Sequence, residues 1–258
     1  MNILQTRHGL MMVRQGPDMI SNMLMQRGEY EWQVVVLCNA LSGKFKDGYI
    51  LDIGANMGTV TIPLAKLKPQ YTFRCFEPQK PIYYQLVGNV ALNDLENVEV
   101  NMMGVGKERG TIYIDLPDYK TNTNVGAWTM DPLVRKESPE GKAGGKEQQV
   151  RIERLDDMHF KERIRLIKVD VEGMELEVFE GGKALLQDHN YPPLVYESWP
   201  HYDWYQDKAK TLKAFIRSMG YETYAMGLTM VAVHQDNELK VNVKKDADNM
   251  ALEVLNEF

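Results

Sequence analysis

Cysteine is scarce. Only Cys38 and Cys75 occur among 258 residues, in the stretches VVVLCNAL and YTFRCFEP, with no CxxC and no Cys/His group at zinc spacing. Both read as core thiols, because an isolated cysteine behaves as a small hydrophobe. Basic excess is also missing: 30 Lys+Arg stand against 36 Asp+Glu, a net charge of −6, with no contiguous basic run to release counterions from a phosphate backbone. Nucleic acid is therefore disfavoured as a partner. No apolar run reaches the roughly 18 residues that would cross a bilayer, so no membrane span is expected. The opening MNILQTRHGLMMVRQGPDM interrupts its apolar residues with Arg7, His8 and Arg14, unlike a secretory leader, and a cytoplasmic location is expected. No internal repeat and no G-x-G-x-x-G motif is visible, which argues against a solenoid and against a dinucleotide site.

What is present is 44% hydrophobic and 26% charged residues, enough for one large globular domain or two small ones. The 16 Met residues read mainly as gap-filling core or pocket wall. Segments of two periods alternate along the chain. Glu31–Leu41 reads as a helix stopped at Ser42-Gly43, and Tyr49–Ile53 as a strand followed by a glycine turn and a helix to about Leu67. Tyr71–Phe76 predicts a strand, Pro78–Asn93 a helix and Val98–Met103 a strand. Leu166–Val171 then predicts a strand, Met174–Gln187 a helix, Leu194–Glu197 a strand and Lys208–Met219 a helix. Tyr221–Met226 and Met230–His234 look like a closing antiparallel pair. Such alternation predicts an α/β fold with a mostly parallel sheet between helical layers.

Three units are expected: an N-terminal helical segment over residues 1–47, a ligand-binding domain over 48–236, and a charged, solvated tail over 237–258. Within the middle unit, residues 115–150 contain TNTNVGAW and the low-complexity run KESPEGKAGGKEQQ, and predict an irregular lid or insert.

The first strand runs into LDIGANMG, placing Asp52, Gly54, Asn56 and Gly58 at a strand-to-helix turn whose backbone can approach a ligand closely. Glu77 ends the next strand, close to the spacing of an acid that grips a ribose diol. A nucleoside derivative is thereby indicated. The carboxylates of Asp52, Asp170 and Glu197, all predicted at strand ends on one rim, would repel a pyrophosphate but attract an ammonium or sulfonium. S-adenosyl-L-methionine is the natural candidate.

LDIGANMG, FEP at Phe76–Pro78, NVALNDLENVEV at Asn89–Val100, LIKVDVEGMELEVFEGG at Leu166–Gly182 and GEYEW at Gly28–Trp32 together resemble the FkbM-type methyltransferases. The resemblance covers roughly Gly28 to Glu197 and implies a three-layer, Rossmann-like class I methyltransferase fold with a seven-stranded sheet and S-adenosylmethionine across the strand ends. Carried over by position, Asp52, Gly54, Asn56 and Gly58 would surround the methionine moiety. Glu77 and Pro78 would lie at the ribose, Met103-Gly104 at the adenine, Asp170 at the sulfonium side, and Glu31 within the preceding segment that the family shares.

The resemblance implies an O-methyltransferase acting on a hydroxyl of a sugar, glycan or small metabolite. An alcohol acceptor must lose a proton, for which Glu172, Glu197 and His201 are the candidates beside Asp170. Asp170, Glu172 and Glu197 also form a set able to hold a hard divalent cation, although none is required by the sequence. Glu172 and Glu175 have an alternative explanation as acids favoured at a helix start. Trp199, His201, Tyr202, Trp204 and Tyr205 suit either stacking on a sugar or loop packing. The competing functions are a non-catalytic S-adenosylmethionine-binding module, an RNA 2′-O-methyltransferase and an NAD-dependent oxidoreductase. Alternation places Lys168 on the same face as Asp170, with no role assigned by the sequence. A homo-oligomer is compatible with the composition.

Overall fold

The computed structural model describes residues 1–121, 124–137, 143–246 and 249–254. The chain opens with strands β1 (Asn2–Thr6) and β2 (Gly9–Val13), then helices α1 (Met19–Arg27) and α2 (Trp32–Leu41). A regular alternation follows: β3 (Tyr49–Ile53), α3 (Thr61–Leu67), β4 (Thr72–Phe76), α4 (Lys80–Leu92) and β5 (Val98–Asn101). Next come β6 (Gly104–Val105), β7 (Gly110–Pro117), α5 (Pro132–Glu137) and β8 (Ala143–Glu153). The second half supplies β9 (Ile164–Val169), α6 (Glu175–Glu180), α7 (Lys183–Asp188), β10 (Leu194–Glu197), α8 (Gln206–Ser218), β11 (Tyr221–Met226) and β12 (Thr229–His234). A last pair, β13 (Val241–Asp246) and β14 (Asn249–Val254), closes the described chain.

Seven strands form the central sheet in the order β11-β12-β10-β9-β3-β4-β5. The pairs among β10, β9, β3, β4 and β5 are parallel, and β12 runs antiparallel to both its neighbours. The chain therefore enters at the centre with β3, winds outward through β4 to β5, and returns to lay β9 on the other side of β3. This reversal opens a crevice at the carboxyl ends of β3 and β9, the place where an open α/β sheet binds ligands. The YILDI run of β3 is buried at every position because helices cover both faces. Leu51 and Ile53 join one core with Val169, Phe179 and Leu212, whereas Ile50 joins the other with Val35, Leu64 and Phe73.

Several sequence expectations are corrected. Residues 1–47 are not wholly helical: β1 and β2 form a hairpin in register from Asn2↔Val13 to Thr6↔Gly9, with alternating burial along β2. Gly9, at φ 115°, supplies the turn geometry that lets the hairpin close. The 115–150 segment is likewise less irregular than its composition suggests. β7 and β8 pair antiparallel from Gly110↔Ile152 to Pro117↔Ala143, because Ile114 and Val150 alternate with polar residues and bury against the domain. Residues 122–123 of the TNTN motif and 138–142 of the low-complexity run lie outside the described residues. In the 237–258 tail, β13 and β14 form an antiparallel pair, consistent with the alternation VNVKKD and NMALEV.

The expected helix over 174–187 is two helices, α6 and α7. At Gly181 a Cβ would lie 2.1 Å from the Gly106 carbonyl oxygen, so the backbone itself packs there and the helix breaks. The expected strand over 98–103 ends at Asn101, and Gly104-Val105 instead pairs with β8. Both cysteines are buried free thiols.

Candidate cofactor and acceptor site

At the crevice the chain turns sharply between β3 and α3. Gly54 takes φ 78°, and a Cβ there would stand 1.8 Å from the Asp170 carbonyl oxygen, so only glycine lets β3 and the end of β9 approach this closely. Asn56, at φ 49°, turns the backbone again and aims its N–H at Glu77. The Glu77 carboxylate accepts that N–H at 3.1 Å and the Gln79 N–H at 2.9 Å. It is 4% exposed, and burial pushes its pKa up to about 7 against these two donors.

Glu77 lines a cavity of about 740 Å³ together with Gly54, Asn56, Pro78, Met103 and Gly104. Its apolar lining includes Phe76, Val105, Ile114, Trp128 and Met130. The β7–β8 insert and the segment that follows Val125 hold this wall in place. The Gln79 side chain donates to the Val125 carbonyl at 3.4 Å and accepts from the Tyr119 hydroxyl at 2.9 Å, while Gln148 donates to the Pro78 carbonyl at 2.6 Å.

A second cavity of about 470 Å³ adjoins the first and is lined by Tyr30, Glu31, Asn56, Lys168, Glu172 and Glu197. A third, of about 320 Å³, continues past Glu31, Lys168 and Glu197 to Thr229. Among the described residues, Asp170 is the one that borders all three. Glu172 sits at φ 56° in the turn after β9, and its carbonyl accepts from the Thr129 hydroxyl at 2.5 Å.

Burial, reinforced by Glu197 and Asp170, holds the Glu172 carboxyl well above its ordinary range; burial and Asp170 do the same to Glu197, although a hydrogen bond with Trp199 opposes it. Glu31 is raised too, first by burial and then by Asp170. Carboxyls this close cannot all ionise, so the cluster retains protons at neutral pH. The carboxylate oxygens of Asp170, Glu172 and Glu197 lie within 4.8 Å of one another, a spacing compatible with a cation.

The remaining predicted residues stand elsewhere. Asp52 is 2% exposed beneath the turn, where it accepts from the Thr61 hydroxyl at 2.6 Å and pairs with Lys168 at 3.2 Å. Gly58, at φ 94°, packs under α4, where a Cβ would meet Leu86 at 2.8 Å. His201 is exposed, its ring 4.2 Å from that of Tyr202, and it is not among the residues lining these three cavities.

Sequence reasoning gave no site role to Tyr30, Trp128, Thr129 or Met130. The last three belong to a loop with no periodicity, where only the lone Trp128 signals a flat-ring wall. Glu175 was readable as a helix-start acid, yet it accepts the Val171 and Gly173 N–H groups at 3.2 Å each and the Tyr205 hydroxyl at 3.4 Å. It thus pins the turn that carries Glu172.

Residues 52–223 match the family model described as "Methyltransferase FkbM domain". The chain is 30% identical over 145 residues to "Methyltransferase 1" of Beauveria bassiana, covering 52% of this chain and 58% of that protein. It is also 30% identical over 165 residues to "Methyltransferase sdnD" of Sordaria araneosa, covering 56% and 64% respectively. The match thus spans less than two thirds of the length of these curated relatives. A crystal structure of a Corynebacterium glutamicum protein superposes with a TM-score of 0.50 at 13% identity, over 84% of this chain and 88% of that one. That likeness concerns the fold alone: a Rossmann-like α/β architecture around a mostly parallel seven-stranded sheet.

Proposed function

Since the chain belongs to the FkbM methyltransferase domain family, we propose that it is an S-adenosylmethionine-dependent O-methyltransferase whose acceptor is a hydroxyl of a sugar, glycan or small metabolite. The observation that carries this reading is the meeting of the Glu77-lined cavity and the carboxylate-lined cavities at Asp170.

The residues fit the cofactor. The Gly54 turn removes a side chain from the cradle, and Glu77, fixed by two backbone donors, can accept from a vicinal diol. Met103, Gly104 and Trp128 offer a slot for the base, and Asp170 offers negative charge where an ammonium or sulfonium is expected. When bound, S-adenosylmethionine supplies an electrophilic methyl group on a sulfonium.

The chain's own task is then to hold the acceptor oxygen in line and to exclude water, which together account for much of the acceleration of such a displacement. Glu197 and Glu172 border the second cavity, where a carboxylate oxygen of this pair would accept the proton that the acceptor hydroxyl loses. Their raised pKa favours proton acceptance once ionised, so turnover is expected to rise with pH through the range in which the pair loses its proton. Glu31 and Tyr30 complete the polar wall.

The test is transfer of a labelled methyl group to a panel of polyhydroxy and phenolic acceptors, with and without chelator. Label on a hydroxyl that Glu197→Gln abolishes, while S-adenosylhomocysteine binding survives, supports the assignment. Transfer to nitrogen alone, or undiminished transfer by Glu197→Gln, overturns the acceptor class or the base respectively. The spacing of Asp170, Glu172 and Glu197 favours a second version in which a divalent cation orients the acceptor, and loss of transfer with chelator selects it.

A further inference from the structure

Lys168 is the buried cation of the site, and proton transfer to the acid pair gives it no task. It is 7% exposed and stands in β9 with its Cα opposite Asp52 of β3, at the seam where the order of the parallel strands reverses. Its ammonium lies 3.2 Å from an Asp52 carboxylate oxygen, 3.2 Å from one of Asp170, and donates to the Gly54 carbonyl at 3.1 Å. Those three groups belong to the strand before the turn, the turn itself and the strand end facing it. Burial opposes the charge on Lys168, but the adjacent carboxylates of Asp170 and Asp52 outweigh it and raise its pKa above the ordinary lysine value.

We propose that Lys168 is a positioning residue of the methyl-donor site, clamping Asp170 and the Gly54 turn in the arrangement that receives the cofactor. The inference rests on the reading of Asp170 as the group beside the sulfonium. Two simpler roles compete with it. A catalytic role, as in enzymes that use a lysine as base, does not fit an ammonium held by two carboxylates and a carbonyl. A purely structural role, neutralising buried Asp52, does fit the fold and must be separated by experiment. Asp52 already has the Thr61 hydroxyl at 2.6 Å, whereas Asp170 has Lys168 as the only cation within ion-pair distance among the described residues. Around Asp170 the other charged groups are acids: Glu31, Glu172, Glu175 and Glu197.

The experiment is a double-mutant cycle on binding, measured calorimetrically with S-adenosylmethionine on the full chain. Lys168→Met and Asp170→Asn are each expected to weaken binding at least about ten-fold, and the double variant to be no weaker than either single one. Independent, multiplying losses overturn the clamp. Because Lys168→Met leaves Asp52 buried beside no cation, Lys168→Met/Asp52→Asn supplies a second arm that keeps the buried charge balanced. The clamp predicts a variant melting near the wild type that still binds weakly. Affinity restored to within about two-fold of wild type shows that Lys168 serves Asp52 alone and refutes the proposal. Wild-type protein that binds neither S-adenosylmethionine nor S-adenosylhomocysteine refutes the underlying functional reading instead.

Discussion

Among the described glycines, Gly54 is the one whose added Cβ would come nearest to another atom, and one methyl group should do most harm there. A Cβ added there would sit 1.8 Å from the Asp170 carbonyl oxygen and 2.8 Å from its carbonyl carbon, against backbone that cannot rotate away. Relief requires the end of β9 to retreat by more than an ångström, which strains the 2.9 Å hydrogen bond from the Asp170 N–H to the Ile53 carbonyl and the Lys168 contact with the Gly54 carbonyl. The φ of 78° adds the cost of placing an L side chain in the left-handed region. Collision and backbone strain together come to about 3 kcal/mol or more.

Gly227 provides the control. Its φ is 67° and nothing lies within 4 Å of its virtual Cβ, so Gly227→Ala carries the backbone strain without the collision, about 1 kcal/mol. For a chain of this size the two variants should melt about 6–12 °C and about 2–4 °C below the wild type. Thermal denaturation followed by circular dichroism, with S-adenosylhomocysteine titrated onto each folded variant, reads both quantities. Equal melting temperatures and retained binding for Gly54→Ala would refute the claim that the close passage of the two strands builds the site.

Other consequences can be checked alongside. Glu77, raised to about 7 by burial, must be ionised to accept from a ribose diol. Nucleoside affinity should therefore rise as pH increases through about 7 and become nearly pH-independent in Glu77→Gln. Glu175 is also raised to about 7 by burial, so the folded protein binds the proton more tightly than the unfolded chain. Its contribution is thus fully present below the unfolded-state value and is lost as pH rises to about 7, a span worth up to about 3 kcal/mol. Urea denaturation of Glu175→Gln should show that decline flattened. Thr61→Val removes a donor from buried Asp52 and should cost about 1–3 kcal/mol in the same assay. His201→Ala should change stability by less than about 0.5 kcal/mol and leave nucleoside affinity unaltered, since His201 is exposed and not among the residues lining the three cavities.

Much of this arrangement is written locally. The YILDI and LVYE runs can only be buried strands, and the glycines after Asp52 mark a turn that a side chain would block. Glu77 is legible because a strand-end acid at that distance from a glycine turn has a definite partner in a nucleoside. What the sequence conceals depends on contacts distant along the chain. By position Asp52 reads as a ligand-binding acid, but it is buried and pairs with Thr61 and with Lys168, the latter brought in by β9. Lys168 could be assigned a face by alternation but not a role, because its partners lie on two other segments. The pairing within 115–150 is hidden for a different reason: apolar alternation is confined to Ile112 and Ile114 just before the segment and Val150 at its end, and the polar run between them masks the strands. Trp128 carries no periodic signal at all, and its place in the cavity wall follows from the anchoring of its loop through Thr129 and Asp131.

The most direct test of the central claim is calorimetric titration of the purified protein with S-adenosylhomocysteine, with NAD in parallel, repeated on Glu77→Ala. A cavity built on the Gly54 turn and Glu77 predicts saturable, one-to-one binding of S-adenosylhomocysteine that the substitution abolishes, with little heat from NAD. Absence of S-adenosylhomocysteine binding in the folded wild type, or tighter binding of NAD, would contradict the account.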